Sequence, residues 1–141
     1  MTRQVDPQAP DPPAAPCVLV VDDDPAIREL LVDLLRAEGY RVIEAVNGAE
    51  AIDAARGFLP AVVLIDLMMP VMSGAEATHI LKSDPETAAI PVLAMSAGRN
   101  LSAVVLDIPA DGFVPKPFDL TELVSVVAGY AENARQSPPP S

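Results

Sequence analysis

Positive charge is scarce in this chain. Nine Lys and Arg stand against 20 Asp and Glu, a formal charge of −11 over 141 residues. A surface that acidic repels a phosphate backbone and argues against direct nucleic-acid binding. Cysteine is nearly absent as well: Cys17 stands alone. An internal disulfide is therefore excluded, and the thiol reads as a small apolar residue opening a strand in a reducing compartment. Long hydrophobic runs are missing. Stretches such as residues 61–65 fall far short of the roughly 20 apolar residues that span a bilayer, and the first thirty residues hold no secretory h-region. No repeat recurs at a fixed period. The expectation is a soluble, cytoplasmic protein without a membrane segment.

Half of the residues are hydrophobic, enough for one domain with a single apolar core. Of the 16 prolines, five fall within residues 1–16 and three form the run Pro138–Pro140. Those ends lack periodic apolar residues, so residues 1–16 and 134–141 read as disordered or extended tails and residues 17–133 as the folded unit.

Within that unit the pattern alternates. Residues 17–21 form a short continuous apolar run, the mark of a strand buried on both faces. Asp24 followed by Pro25 is a helix start. Ile27, Leu30, Leu31, Leu34 and Leu35 then recur at helical spacing up to a stop at Gly39. Residues 41–46 read as a second strand, and Asn47 with Glu50 as a capping box opening a helix with Ala51, Ile52 and Ala55 on one face. Residues 61–65 are a third strand. Ser73 and Glu76 open a helix expected to turn Ala77, Ile80 and Leu81 inward. Residues 91–95 are a fourth strand. Leu101, Val104, Val105 and Ile108 suggest a short helix, and residues 112–115 a brief last strand. Asp119 and Glu122 cap a final helix with Leu120, Leu123, Val124 and Val127 on one stripe. Five strands alternating with five helices imply an α/β fold with a parallel sheet covered on both faces. The strand order 2-1-3-4-5 suits five strands closed by a helix.

Function in such a sheet gathers at the carboxyl ends of the strands. Strand one runs into Asp22 and Asp23, strand three into Asp66, strand four into Ser96 and strand five into Lys116. In the expected order strands one and three are neighbours, so the three carboxylates crowd together. That is unfavourable without a cation, and a hard, oxygen-seeking ion such as Mg²⁺ suits them. Lys116 and Ser96 are then left on the other side of Asp66 as a cation and a hydroxyl donor. Such a site can turn the Asp66 carboxylate into an acyl phosphate.

The segments VVDDDPAIRELL, LIDLMMPVMSG, VLAMSA and GFVPKPF, in this order and spacing, resemble the receiver (response regulator) family of two-component systems over residues 17–133. The likeness is to the stand-alone, chemotaxis-regulator type with a flavodoxin-like fold. The resemblance implies Asp66 as phosphoacceptor, Asp23 as direct Mg²⁺ ligand, Asp22 as ligand through water, and the backbone carbonyl of Met68 as a further ligand. It implies Ser96 as switch hydroxyl, Phe113 at the switch-aromatic position, and Lys116 as the phosphate-pairing lysine, aimed by a cis Lys116–Pro117 peptide. It also implies a histidine kinase or histidine phosphotransfer domain as phosphoryl donor. Three features depart from the family pattern. Phe113 lacks the tyrosine hydroxyl common there, Met68 is apolar, and the stretch between Ser96 and Lys116 is short, with Pro109 in place of an Ala-Gly pair. Two rivals stand beside this reading: a pseudo-receiver that binds without phosphorylation, and a haloacid-dehalogenase-type phosphatase suggested by Asp22-Asp23-Asp24. The phosphatase needs an inserted flap where a helix is expected to begin at once.

Only about eight residues follow the last expected helix, so output is expected through contact with a downstream protein or onward transfer of the phosphoryl group. The family's usual contact face is made by the fourth helix, fifth strand and fifth helix. From Asn100 to Leu106 no residue is charged, and with Val104 and Val105 inward, Ala103 and Leu106 should face water as a docking patch. Leu106→Glu should therefore weaken partner capture in a pull-down, or self-association in sedimentation; if neither changes, the patch has no such role.

Overall fold

The computed structural model describes residues 16–69, 72–96, 108–116 and 119–136, with side chains described as far as residue 132. Five strands and four helices are assigned among them: β1 (Cys17–Val21), α1 (Pro25–Ala37), β2 (Arg41–Ala45), α2 (Gly48–Phe58), β3 (Val62–Asp66), α3 (Gly74–Ser83), β4 (Val92–Ser96), β5 (Gly112–Pro115) and α4 (Leu120–Gln136). The strands are all parallel, in the expected order β2-β1-β3-β4-β5.

The period of two along each strand divides the core. In β1, Val18 and Val20 join Leu31, Leu35, Leu123 and Val127 under α1 and α4. Leu19 and Val21 face the other way, onto Ala51, Ile52, Ala55, Ala77 and Leu81 of α2 and α3. Strands β1, β3 and β4 are buried along their whole length, which is why they read as unbroken apolar runs rather than alternating ones. Each of the first three helices starts where its capping residue predicts. Asp24 accepts from the Ala26 N–H, Asn47 from Glu50, and Ser73 from Glu76. Asp119 likewise accepts from the Glu122 N–H at 3.1 Å.

Several expectations need correction. Ile80 is exposed rather than inward, and Leu30 and Leu120, members of the apolar patterns of their helices, are exposed too. At about 100° per residue, the buried face of α1, set by Leu31, Val32 and Leu35, centres near Arg28 and leaves Leu30 far around the helix. In α3 the buried residues are Gly74, Ala77, Thr78 and Leu81, a face that excludes Ile80. Leu120 lies on the buried stripe of α4 but in its first turn, where little covers it. Strands β3 and β4 lie one residue later than expected, and β2 ends at Ala45. The last helix runs on to Gln136, beyond the expected edge of the folded unit at residue 133. The helix expected before β5, with Ala103 and Leu106, lies outside the described residues except for Ile108, which is buried against Leu67 and Ala94. The peptide to Pro117 also lies outside them.

One close approach fixes the site's frame. A Cβ on Gly74 would collide with the Asp66 carbonyl oxygen, and the Gly74 N–H donates to the Leu67 carbonyl at 3.1 Å. The start of α3 is thus held against the end of β3, and the vacancy of a side chain permits it. Gly74→Ala should cost about 3 kcal/mol through overpacking, read as a lower denaturant midpoint with an unchanged m-value; a midpoint within error of the parent's would contradict the contact.

Candidate functional site

Each chemically useful side chain sits where a buried strand gives out. Asp22 follows β1 directly, and its N–H donates to the Ala45 carbonyl at 3.2 Å, carrying the β1–β2 ladder one residue further. Asp66 is the last residue of β3 and lies opposite Met95. Ser96 ends β4 opposite Pro115, and the Lys116 N–H donates to the Ser96 carbonyl at 2.9 Å. The backbone ladder therefore sets the spacing of the site.

Asp22, Asp23 and Asp66 each bring a carboxylate oxygen within 4.8 Å of the others. Asp22 is fully buried, Asp66 is 6% exposed and Asp23 faces solvent. The Lys116 ammonium lies 3.0 Å from Asp22 Oδ2 and 3.4 Å from Asp66 Oδ2. Asp22 Oδ1 accepts from the Asp24 N–H at 2.9 Å, and Asp66 Oδ1 from the Met68 N–H at 3.2 Å.

Here the expected layout is amended. Lys116 is not confined to the far side of Asp66, because it bonds the buried Asp22 carboxylate more closely. A fully buried carboxylate draws the nearest ammonium, since leaving its charge uncompensated would be costly. Among the described residues, three carboxylates against one ammonium still leave an excess of negative charge.

Burial raises the Asp66 pKa above the ordinary carboxylate value. The Met68 N–H and Lys116 oppose that rise, and the charge of Asp22 adds to it. For Lys116, burial alone would lower the pKa. The hydrogen bond and charge of Asp22, with those of Asp66, outweigh burial, so the net shift is upward and the ammonium is retained.

The donor set suits a small hard cation. Around an octahedral Mg²⁺ at about 2.1 Å, ligand oxygens lie about 3–4.2 Å apart. The trio, with its oxygens all within 4.8 Å of one another, is compact enough to converge on one such ion. Asp22, Asp23 and Asp66 could hold such an ion. The Met68 side chain is exposed and its soft thioether suits no hard cation, so only its backbone carbonyl could take part.

Ser96 is buried at the same edge of the sheet. Phe113 lies opposite Ala94 in β5 and packs half-buried beside Ala94 and Ile108. Two site residues escaped the sequence reading. Arg28 donates from Nη1 to the Asp22 carbonyl at 2.9 Å, and its signal was an arginine at the centre of an apolar helical stripe. Gly74 was the other, signalled by a glycine in the first turn of a helix, where it has no conformational advantage.

Against known proteins, the model of the response regulator receiver domain family matches residues 18–128. The DNA-binding response regulator MtrA of Mycolicibacterium smegmatis is 36% identical over 123 residues, covering 86% of this chain and 53% of its own length. The chain spans about half the length of the curated relatives it matches. Among solved structures, the signal receiver domain of a histidine kinase from Syntrophus aciditrophicus superposes with a TM-score of 0.81. It is 29% identical and covers 90% of this chain and 98% of its own. The receiver domain of the sensor histidine kinase PA1611 from Pseudomonas aeruginosa is described with a magnesium ion coordinated in its active site cleft. It is 25% identical with a TM-score of 0.78, over 84% of this chain and 99% of its own.

The raised Asp66 pKa makes the ionised carboxylate a cost to the metal-free fold. That cost is absent below the unfolded carboxyl pKa, near ~4, and sets in as pH rises from there through the higher folded value. Asp66→Asn should therefore raise Tm by a few degrees at neutral pH without divalent ions, with the gain shrinking toward pH ~3. A variant less stable than the parent at neutral pH would contradict this.

Proposed function

The chain belongs to the response regulator receiver domain family of two-component signalling, and from that premise we propose that Asp66 accepts a phosphoryl group from a phosphohistidine, with Mg²⁺ held by Asp22, Asp23, Asp66 and the Met68 carbonyl. The observation that carries this is the joint geometry: three carboxylates within 4.8 Å, two of them touching one ammonium. Few structural roles need that much negative charge at one sheet edge. The ion described in the PA1611 receiver supports the choice of metal.

In the transfer, an Asp66 carboxylate oxygen attacks phosphorus. The P–N bond to the donor imidazole breaks, and its electron pair leaves with the ring nitrogen. Lys116, kept protonated by its carboxylate partners, neutralises the equatorial oxygens, and the Ser96 hydroxyl donates to one of them. Bound Mg²⁺ would add positive charge against the same oxygens. Asp66 is 6% exposed, so few waters need to leave its carboxylate before the attack. We read the chain as a phosphoacceptor rather than a turnover enzyme. The start of α1 at Pro25, directly after Asp24, leaves no room for the flap a haloacid-dehalogenase-type phosphatase inserts there, and the filled polar positions disfavour a pseudo-receiver.

The proposed donor is a histidine kinase or histidine phosphotransfer domain in the cytoplasm. The proposed output is phosphorylation-dependent protein contact through the surface that includes β5 and α4. Phe113 would there report the state of Ser96 by ring packing. The receiver itself is read as neither a nucleic-acid binder nor a membrane protein. It carries the −11 charge, and among the described residues no helix is long and apolar enough to cross a membrane.

Acetyl phosphate with Mg²⁺ should add about 80 Da, one phosphoryl group, in an adduct cleaved by hydroxylamine and lost in Asp66→Asn or with chelator. Intact-mass measurement decides it: an adduct that survives Asp66→Asn, or none in the parent, would refute the assignment.

A further inference from the structure

The acidic loop is held from three sides. The Asp22 N–H is tied to Ala45 of β2 at 3.2 Å. The Asp22 carboxylate takes the Asp24 N–H and the Lys116 ammonium. The Asp22 carbonyl takes Arg28 Nη1 at 2.9 Å. That carbonyl belongs to the peptide joining Asp22 to Asp23, so its orientation sets the direction in which the Asp23 side chain leaves the backbone. Asp23 is the exposed member of the trio, with little packing to aim its carboxylate. Its aim is inherited from the peptide behind it.

Arg28 is well placed for this task. It lies on the inward face of α1, one turn from the Asp24 cap, and its backbone N–H closes the first helical bond to the Asp24 carbonyl at 2.9 Å. The same guanidinium reaches β2, where Nε donates to Glu44 Oε1 at 3.2 Å. Its side chain is 19% exposed, against 45% for Glu44. A planar fork can serve two acceptors in fixed directions at once, which a lysine ammonium on a flexible stem cannot reproduce.

A guanidinium beside a cation site presents a difficulty: by charge alone it repels Mg²⁺. Glu44 removes most of that repulsion by pairing with it. We propose that Arg28 is a positioning residue for the metal centre, fixing the Asp22–Asp23 peptide so that Asp23 is aimed at the ion, while Glu44 orients the guanidinium and neutralises it. The proposal rests on the Mg²⁺ reading above. It goes beyond that reading by assigning a role to a residue that contacts neither metal nor phosphoryl group.

Geometry and charge predict opposite signs, which makes the proposal testable. Removing a positive charge tightens Mg²⁺ binding if Arg28 acts only through its field; removing a clamp weakens it. Mg²⁺ is titrated into the full chain and followed by the amide shifts of Asp23 and Asp24, with metal-free Tm recorded as a control on folding. Arg28→Gln should raise the Mg²⁺ Kd about tenfold, the scale seen when groups supporting metal ligands are removed. The double variant Arg28→Gln/Glu44→Gln leaves the net charge of the pair unchanged, so it should show the same loss from geometry alone. Arg28→Lys, which keeps the charge with less of the fork, should fall between and serves should Arg28→Gln fail to fold. A Kd that is unchanged or lower in the double variant, or in Arg28→Lys, overturns the clamp. No Mg²⁺ binding by the parent chain instead removes the Mg²⁺ reading, and the role of Arg28 with it.

Discussion

The contact between the Lys116 ammonium and two carboxylates, those of Asp22 and Asp66, is the constraint to which the other features of this molecule are fitted. Two acids at neighbouring strand ends repel each other, and a third, Asp23, stands within 4.8 Å of both. One ammonium offsets part of that repulsion and leaves the rest. The sheet withstands it because β1, β3 and β4 are buried on both faces and its ladder continues beyond the strand ends, through Asp22 to Ala45 and through Leu67 to Met95. Hydrophobic packing beneath the site thus holds together charges that would separate in water.

The same constraint explains features that look local. Gly74 lets α3 begin against the Asp66 backbone, so Asp66 cannot swing away from its neighbours. The Met68 N–H accompanies the Asp66 carboxylate, satisfying one oxygen while leaving the other toward Lys116. Burial raises the pKa of Asp66, and Lys116 is kept in its charged form by its partners. The Asp66 carboxyl and the Lys116 ammonium are both set by one arrangement: a low-dielectric floor with charges of both signs packed on its rim.

Much of this was legible beforehand. The capping residues Asp24, Asn47 and Ser73 marked helix starts to the residue, because a side-chain oxygen serving a free N–H is a local event. The apolar runs ending in Asp22, Asp66 and Ser96 gave both the parallel sheet and the edge where chemistry gathers. The strand limits slipped by one at Asp66 and Ser96, since pairing follows backbone hydrogen bonds and does not stop where side chains turn polar. Leu30 and Ile80 share the apolar spacing of their helices, yet the buried arcs set by Leu31, Val32 and Leu35 and by Ala77, Thr78 and Leu81 leave both exposed. The reach of Lys116 to Asp22, and of Arg28 to the Asp22 carbonyl, was hidden for another reason. Both depend on where a long side chain extends across the fold, and no spacing in the sequence encodes that.

The account stands on the acidic trio being a cation site. Anomalous diffraction from crystals of the chain grown with Mn²⁺, a hard oxygen-seeking substitute for Mg²⁺, addresses it directly. The account predicts one dominant peak between the carboxylates of Asp23 and Asp66, within reach of Asp22 through water. A map with no peak there, or with manganese bound only at unrelated surface acids, would contradict it.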